Sequence, residues 1–170
     1  PDRSCSKLHN FINENNIPVA TSFRRQDLFD HKNENFAGSF GTSVSPKLID
    51  STKNSDLIIV LGARLGEMTT QGYSIINPRD ISKNIMHIHV DPNELNKVFN
   101  ANVCINVGVN ECCDKLEELT LDNSNRWKEW RNELNKNYLE DSKPQKNRHV
   151  KNLTKILEVV QKKYPTNTNI

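Results

Sequence analysis

The sequence predicts an α/β fold in which a parallel sheet is flanked by helices, and three observations lead to it. Short, continuous apolar runs recur at Asp56–Leu61, Ile85–Val90 and Val103–Val107. Each run closes on a turn signal, in order Gly62, Asp91-Pro92 and Gly108. Segments of helical character alternate with the runs. Strands that alternate with helices in this way form parallel sheets, whose strands are covered on both faces and are therefore apolar throughout.

From the N-terminus, Leu8, Phe11 and Ile12 within Ser6–Asn15 have helical spacing and an Asn-rich exit. Ile17–Ala20 reads as a short buried strand, and a polar loop then runs from Thr21 to Asn35 and ends in the glycine-containing stretch Phe36–Thr42. Val44–Ser51 is a predicted helix, with Pro46 tolerated in its first turn. Asp56–Leu61 is the clearest strand and is expected to be buried on both faces. A short helix is expected over Asn93–Phe99, and a longer one after Gly108 with Cys112, Leu116 and Leu119 on one face. Past residue 121 the chain turns more polar. Asn123–Glu140 is read as one long helix whose Trp127, Trp130, Leu134 and Tyr138 form a narrow docking stripe. Asp141–Arg148 has the composition of a linker, and Val150, Leu153, Leu157 and Val160 mark a further amphipathic helix ended by Tyr164-Pro165. The lysines and arginine around that helix read as a solvated face. The chain thus divides into residues 1–121, 122–149 and 150–170.

Composition narrows the function. With 170 residues, 35% hydrophobic and 26% charged, the chain can bury one ordinary core. Asn and Lys spread along the whole chain make up its polarity, a compositional bias and not a disordered tail. A net charge of +2 argues for neither nucleic acid nor membrane. No apolar run approaches the ~20 residues that span a bilayer, and no leader is apparent. Cys5, Cys104, Cys112 and Cys113 include no C-x-x-C pair, so neither a zinc site nor a disulfide framework is expected. A reducing, cytoplasmic setting follows.

In an open parallel sheet, ligands bind beyond the carboxyl ends of the strands. The segments reaching that edge are Gly38–Thr42, Gly62–Gly66, His89–Asp91 and Gly108–Asn110. Their glycines let backbone N–H groups approach a phosphate, Thr42 adds a hydroxyl, and Arg64 can hold a phosphate in a bidentate way. For any single loop a tight βα turn explains the glycines equally well. His87 and His89 alternate along a strand and are expected on opposite faces, unable to share a metal. No nucleophile elbow, G-x-G-x-x-G or P-loop is present. No residue set runs a reaction by itself.

The ordered motifs Ile17-Pro18-Val19-Ala20-Thr21, Gly38-Ser39-Phe40-Gly41-Thr42, Asp56–Leu61 with Gly62-Ala63-Arg64, and His87-Ile88-His89-Val90-Asp91-Pro92 together resemble the central, Rossmann-like domain of the thiamine diphosphate enzymes. The resemblance is to the acetolactate synthase branch and covers roughly residues 1–121, with the domain's first strand missing. Phe23–Asp27 and Gly66–Tyr73 look like a subgroup of it, and residues 150–170 resemble the opening helix of the C-terminal, cofactor-binding domain. The resemblance implies an enzyme that decarboxylates or joins 2-keto acids, in branched-chain amino acid biosynthesis for the namesake enzymes. Thiamine diphosphate and Mg²⁺ would be held by N- and C-terminal domains outside this chain, and the complete enzyme would be a homodimer or homotetramer.

The resemblance also implies that the central domain spaces the other two and in some members binds FAD or ADP. Carried over residue by residue, the cofactor-binding positions are Gly38, Ser39, Phe40, Gly41 and Thr42; Gly62, Ala63 and Arg64; His89 and Val90; and Gly108 and Val109. None is catalytic or a metal ligand. This chain differs from acetolactate synthases at three places: His89 and Val109 stand where Asp is usual, and Gly66-Glu67-Met68 stands where Asp-Asp-Arg is usual. Two other readings stay open: a free-standing nucleotide-binding module, and a thiamine diphosphate-dependent decarboxylase of another 2-keto acid. A sirtuin-like deacylase is disfavoured by the missing Cys-x-x-Cys pair.

Overall fold

A computed structural model of the chain describes residues 2–79, 82–122, 124–143 and 153–164. The first helix, α1 (Asp2–Glu14), buries Phe11 and Ile12 and ends where Asn16 takes the left-handed conformation at φ 53°. Ile17 N–H then donates to Ile12 O at 3.1 Å, closing the six-to-one bond of a Schellman stop, for which Asn is a tolerated substitute for glycine. Strand β1 (Val19–Thr21) follows, starting after Pro18, and pairs in parallel with β2 (Phe36–Ser39). Phe36–Ser39, read from the sequence as the end of a loop, is thus a strand with Phe36 and Ala37 buried.

Helix α2 (Pro46–Asn54) begins with Ser45 at the cap and Pro46 at its first position, where a missing N–H costs nothing. It leads into β3 (Leu57–Leu61). Then β4 (Asn84–His89) and β5 (Val103–Asn106) complete a parallel sheet in the order β3-β4-β5. Helices α3 (Val109–Glu117), α4 (Lys128–Asp141) and α5 (Leu153–Lys163) finish the described chain. The predicted α/β class is therefore observed: parallel sheets flanked by helices. The parts of the predicted linker beyond residue 143, Val150 and Pro165 lie outside the described residues.

Two local expectations are corrected. Asn93–Phe99 holds only a single helical turn, Pro92–Glu94, because Leu95 is extended and Asn96 is left-handed at φ 55°. Strand β3 is not buried on both faces: Leu57 is 48% exposed and Ile59 is 49% exposed, while Val60 is buried. Period-2 alternation explains the split. Val60 and Ile58 face α2 and the core, whereas the face carrying Leu57 and Ile59 has no covering element there among the described residues.

Among the described residues five strands form two sheets, β1-β2 and β3-β4-β5, that are not joined by backbone hydrogen bonds. One apolar core nevertheless spans both. Ala37 of β2 clusters with Val60 of β3, Ile85 of β4, Leu48 of α2 and Leu134 of α4, with Ala20 of β1 packed at its margin. A second cluster beneath α1 contains Phe11, Ile12, Phe29 and Phe36.

Helix α4 holds these parts together. Its stripe docks as expected at Leu134 and Tyr138, while Trp130 stays 36% exposed. The strongest anchors are polar. Asn135 Nδ2 donates to Asn33 O at 3.2 Å and to Phe36 O at 2.9 Å, and Trp127 Nε1 donates to Asn15 O at 2.8 Å. Arg131 is only 2% exposed; its Nη2 donates to Asn16 Oδ1 at 3.0 Å and its Nη1 lies 2.9 Å from Glu34 Oε2. That ion pair lacks hydrogen-bond geometry, and Nε has no hydrogen-bond partner. The guanidinium is therefore only partly compensated for its burial. At the far end, Ser45 Oγ donates to Asp141 Oδ2 at 2.5 Å and Lys47 pairs with Glu140 at 3.2 Å, tying α4 to α2.

Asn135→Ala removes the shared donor from two carbonyls and should cost about 1–3 kcal/mol, the price of stranded polar groups. Leu134→Ala should cost about 2–5 kcal/mol through the cavity it leaves. Lys136→Ala, on the exposed side of the same helix, should stay within about 0.5 kcal/mol. Urea denaturation measures all three, and equally small changes throughout would show that α4 is not docked.

Candidate functional site

Because β3, β4 and β5 run parallel, their carboxyl ends share one edge, and the sequence-predicted turns after them meet there. Gly62 carries φ +67° and its N–H donates to Ile88 O at 2.9 Å. A Cβ at Gly62 would approach Val109 Cγ2 to 3.0 Å, so the turns after β3 and β5 are in contact. Asn106 Nδ2 donates to His89 O at 2.9 Å and to Val90 O at 2.8 Å, tying the end of β5 to the turn after β4. The structure thus brings together Gly62, Ala63, His89, Val90, Gly108 and Val109. Arg64 is exposed beside them and makes no hydrogen bond or ion pair among the described residues.

The charges around this edge are mixed. Hydrogen bonds from the Asn93 backbone and side chain hold the Asp91 carboxyl below its usual range. The Lys97 ammonium, hydrogen-bonded at 2.8 Å, does the same for Glu94, and the field of Arg64 adds to it. Both carboxylates are ionised at neutral pH. Helix α3 begins after Gly108 and would offer free N–H groups to an anion. Glu111 folds back over that end, however, so that a Cβ at Gly108 would collide with its carboxylate. A phosphate there would meet negative charge. Arg64 is the group at this edge that suits an anion.

The first predicted loop belongs to a different place. Gly38 and Ser39, with Ala37, line a cavity of about 250 Å³ closed by Ser43, Ser45 and Leu48 on one side and by Leu134, Asn137, Tyr138, Asp141 and Ser142 on the other. Arg64, His89 and Gly108 do not line it. Phe40 N–H donates to Thr21 O at 2.8 Å, and the Ser39 and Thr21 hydroxyls share a hydrogen bond of 2.7 Å. Gly41 is covered by the Phe23 ring, and Thr42 is exposed. The lining residues on α4 were not singled out from the sequence as site residues. Their signal was the placement of Leu134, Asn137, Tyr138 and Asp141 at helical spacing on the docked side.

The histidines require a correction. Residues two apart on a strand share a face, and the His87 and His89 rings lie 6.0 Å apart in an edge-on arrangement. His87 is buried, with Nε2 2.9 Å from Ala63 O, and so braces the turn before Arg64. Among the described residues no group of three or more His, Cys, Asp or Glu side chains is placed to hold a metal. Burial pushes the Cys112 thiol up, which keeps it protonated and unreactive at neutral pH. No described helix is long and apolar enough to cross a membrane.

Gly62→Ala should destabilise the chain by about 1–2 kcal/mol, since an L-residue is strained in the left-handed region and its methyl would press on Val109. Gly66→Ala meets nothing within 4 Å and should be neutral or stabilising by up to about 1 kcal/mol. Thermal denaturation of the pair measures the difference, and a Gly62→Ala protein as stable as Gly66→Ala would contradict the described turn.

Comparison with known proteins places this architecture. No curated protein matches the chain. Residues 2–116, from α1 through nearly all of α3, match the family described as "Thiamine pyrophosphate enzyme, central domain". That span takes in both sheets and the whole strand-end edge. The chain belongs to the thiamine pyrophosphate enzyme family and carries its central domain.

Proposed function

We propose that the chain is the central scaffold of an acetolactate synthase-like enzyme that decarboxylates and joins 2-keto acids, its reacting groups supplied by flanking N- and C-terminal domains. The observation that carries this reading is the family match over both sheets. Thiamine diphosphate with Mg²⁺, bound elsewhere in the parent enzyme, would supply the electron sink for decarboxylation. The described carboxylates do not fit the Mg²⁺ role, since no three of the described His, Cys, Asp or Glu side chains are grouped to hold a metal. What this chain's residues do is hold a rigid spacer: α4 clamps the two half-sheets, and His87 braces the turn that presents Arg64.

The split between β1-β2 and β3-β4-β5 suits one more parallel strand lying between them and supplied by the parent chain. Such a strand would pair along β3. The apolar residues of α5 at Ile156, Leu157 and Val159 are exposed and suit docking against the C-terminal domain.

A second function is favoured by one observation, the exposed Arg64 at the strand ends, which makes no ion pair among the described residues. It fits the diphosphate of ADP or of the ADP half of FAD, with the glycine turns allowing close backbone approach.

The parent enzyme should release CO₂ from pyruvate or another 2-keto acid with thiamine diphosphate and Mg²⁺, and the 170-residue chain alone should release none. Turnover by the isolated chain, or none by the parent on any 2-keto acid, overturns the scaffold reading. In calorimetry with ADP and FAD, Arg64→Ala should weaken binding by roughly tenfold to a hundredfold, the value of a charge-assisted phosphate contact. Val109→Asp should favour FAD alone. Failure of both ligands to bind the folded chain at millimolar concentration removes the nucleotide function and leaves the scaffold.

A further inference from the structure

We propose that the cavity between β2, α2 and α4 binds a small, neutral, polyhydroxylated molecule of about pentose or hexose size. The inference is independent of the enzyme reading above, because it rests on the cavity alone. At about 250 Å³ the cavity is below the range of drug-sized sites. At roughly 30 Å³ per water it would hold on the order of eight waters, or one monosaccharide.

Its lining is mixed. Ala37, Leu48 and Leu134 contribute apolar groups, as does the Tyr138 ring, which also packs against Phe36 at 4.7 Å between centroids. The other lining residues contribute hydroxyl, amide and carboxylate groups. Ser45 is satisfied by Asp141, Ser39 by Thr21, and Ser142 donates to Tyr138 O at 2.8 Å. The side chains of Ser43 and Asn137 and the Tyr138 hydroxyl make no hydrogen bond among the described residues. Three side chains whose polar groups make no hydrogen bond among the described residues, set among apolar side chains, match a sugar, which presents C–H faces to apolar surface and hydroxyls to donors and acceptors.

Charge decides the class. Among the described residues, Asp141 is the one carboxylate in the lining, and no Lys or Arg lines the cavity. Lys47 nearby is paired with Glu140. A phosphate or carboxylate ligand would face uncompensated negative charge, whereas a neutral polyol can donate a hydroxyl to Asp141.

The experiment is titration of the folded 170-residue chain with ribose, glucose and ribose 5-phosphate, followed by amide chemical shifts. Saturable shifts confined to residues 37–48 and 134–142 with ribose or glucose, and weaker ones with ribose 5-phosphate, are the expected result. Asn137→Leu should weaken sugar binding about tenfold, as the loss of a neutral hydrogen bond predicts. Ser43→Trp, at an exposed position on the rim, should block binding without unfolding the chain, which its melting temperature checks. No saturable shift with either sugar at millimolar concentration, tighter binding of ribose 5-phosphate, or binding indifferent to Ser43→Trp would each overturn the proposal.

Discussion

The structure depends on one apolar core shared by two sheets that make no backbone hydrogen bonds to each other. Within each sheet, parallel ladders fix register and direction. Between the sheets only side-chain burial acts, through Ala37, Val60, Ile85, Leu48 and Leu134. Apolar burial is strong but has no direction, so the relative placement of the halves needs directional bonds from elsewhere. Helix α4 supplies them. Asn135 grips the carbonyls entering β2, Trp127 and Arg131 grip the end of α1, and Asp141 and Glu140 grip the start of α2. A helix whose sequence is mostly polar thus becomes the keystone, because its buried side carries hydrogen-bonding groups matched to particular carbonyls.

The same arrangement governs where chemistry can occur. Three parallel strands ending on one edge crowd their turns together, so Gly62 must be left-handed and must lack a Cβ to accommodate Val109. The edge then carries Arg64 beside two ionised carboxylates, with Glu111 over the start of α3. The edge therefore carries both signs of charge, with Arg64 the group that suits an anion. The cavity near Gly38 is a product of α4 docking, and its polar groups come from a helix that the strand-end rule does not consider.

What the sequence determined by itself was local. Apolar runs between turn signals marked β3, β4 and β5, the stretch from Val44 with Pro46 in its first turn marked α2 two residues early, and the Asn-rich exit marked the end of α1, because each follows from backbone sterics and residues adjacent in the chain. The ordered motifs marked the family for the same reason: they are contiguous. Strand β2 was hidden because Gly38 in a four-residue strand weakens the β signal, and only pairing with β1 makes the segment extended. The face shared by His87 and His89 was available from period-2 geometry alone. Tertiary structure decided the rest. It left Leu57 and Ile59 half exposed, although their residue types signalled full burial, because burial depends on which elements are present to cover a face. It also turned Asn135, Arg131 and Asp141 into anchors, since a hydrogen bond between residues about a hundred positions apart has no signature along the chain. Whether a polar side chain meets water or a carbonyl is settled only once distant segments have packed.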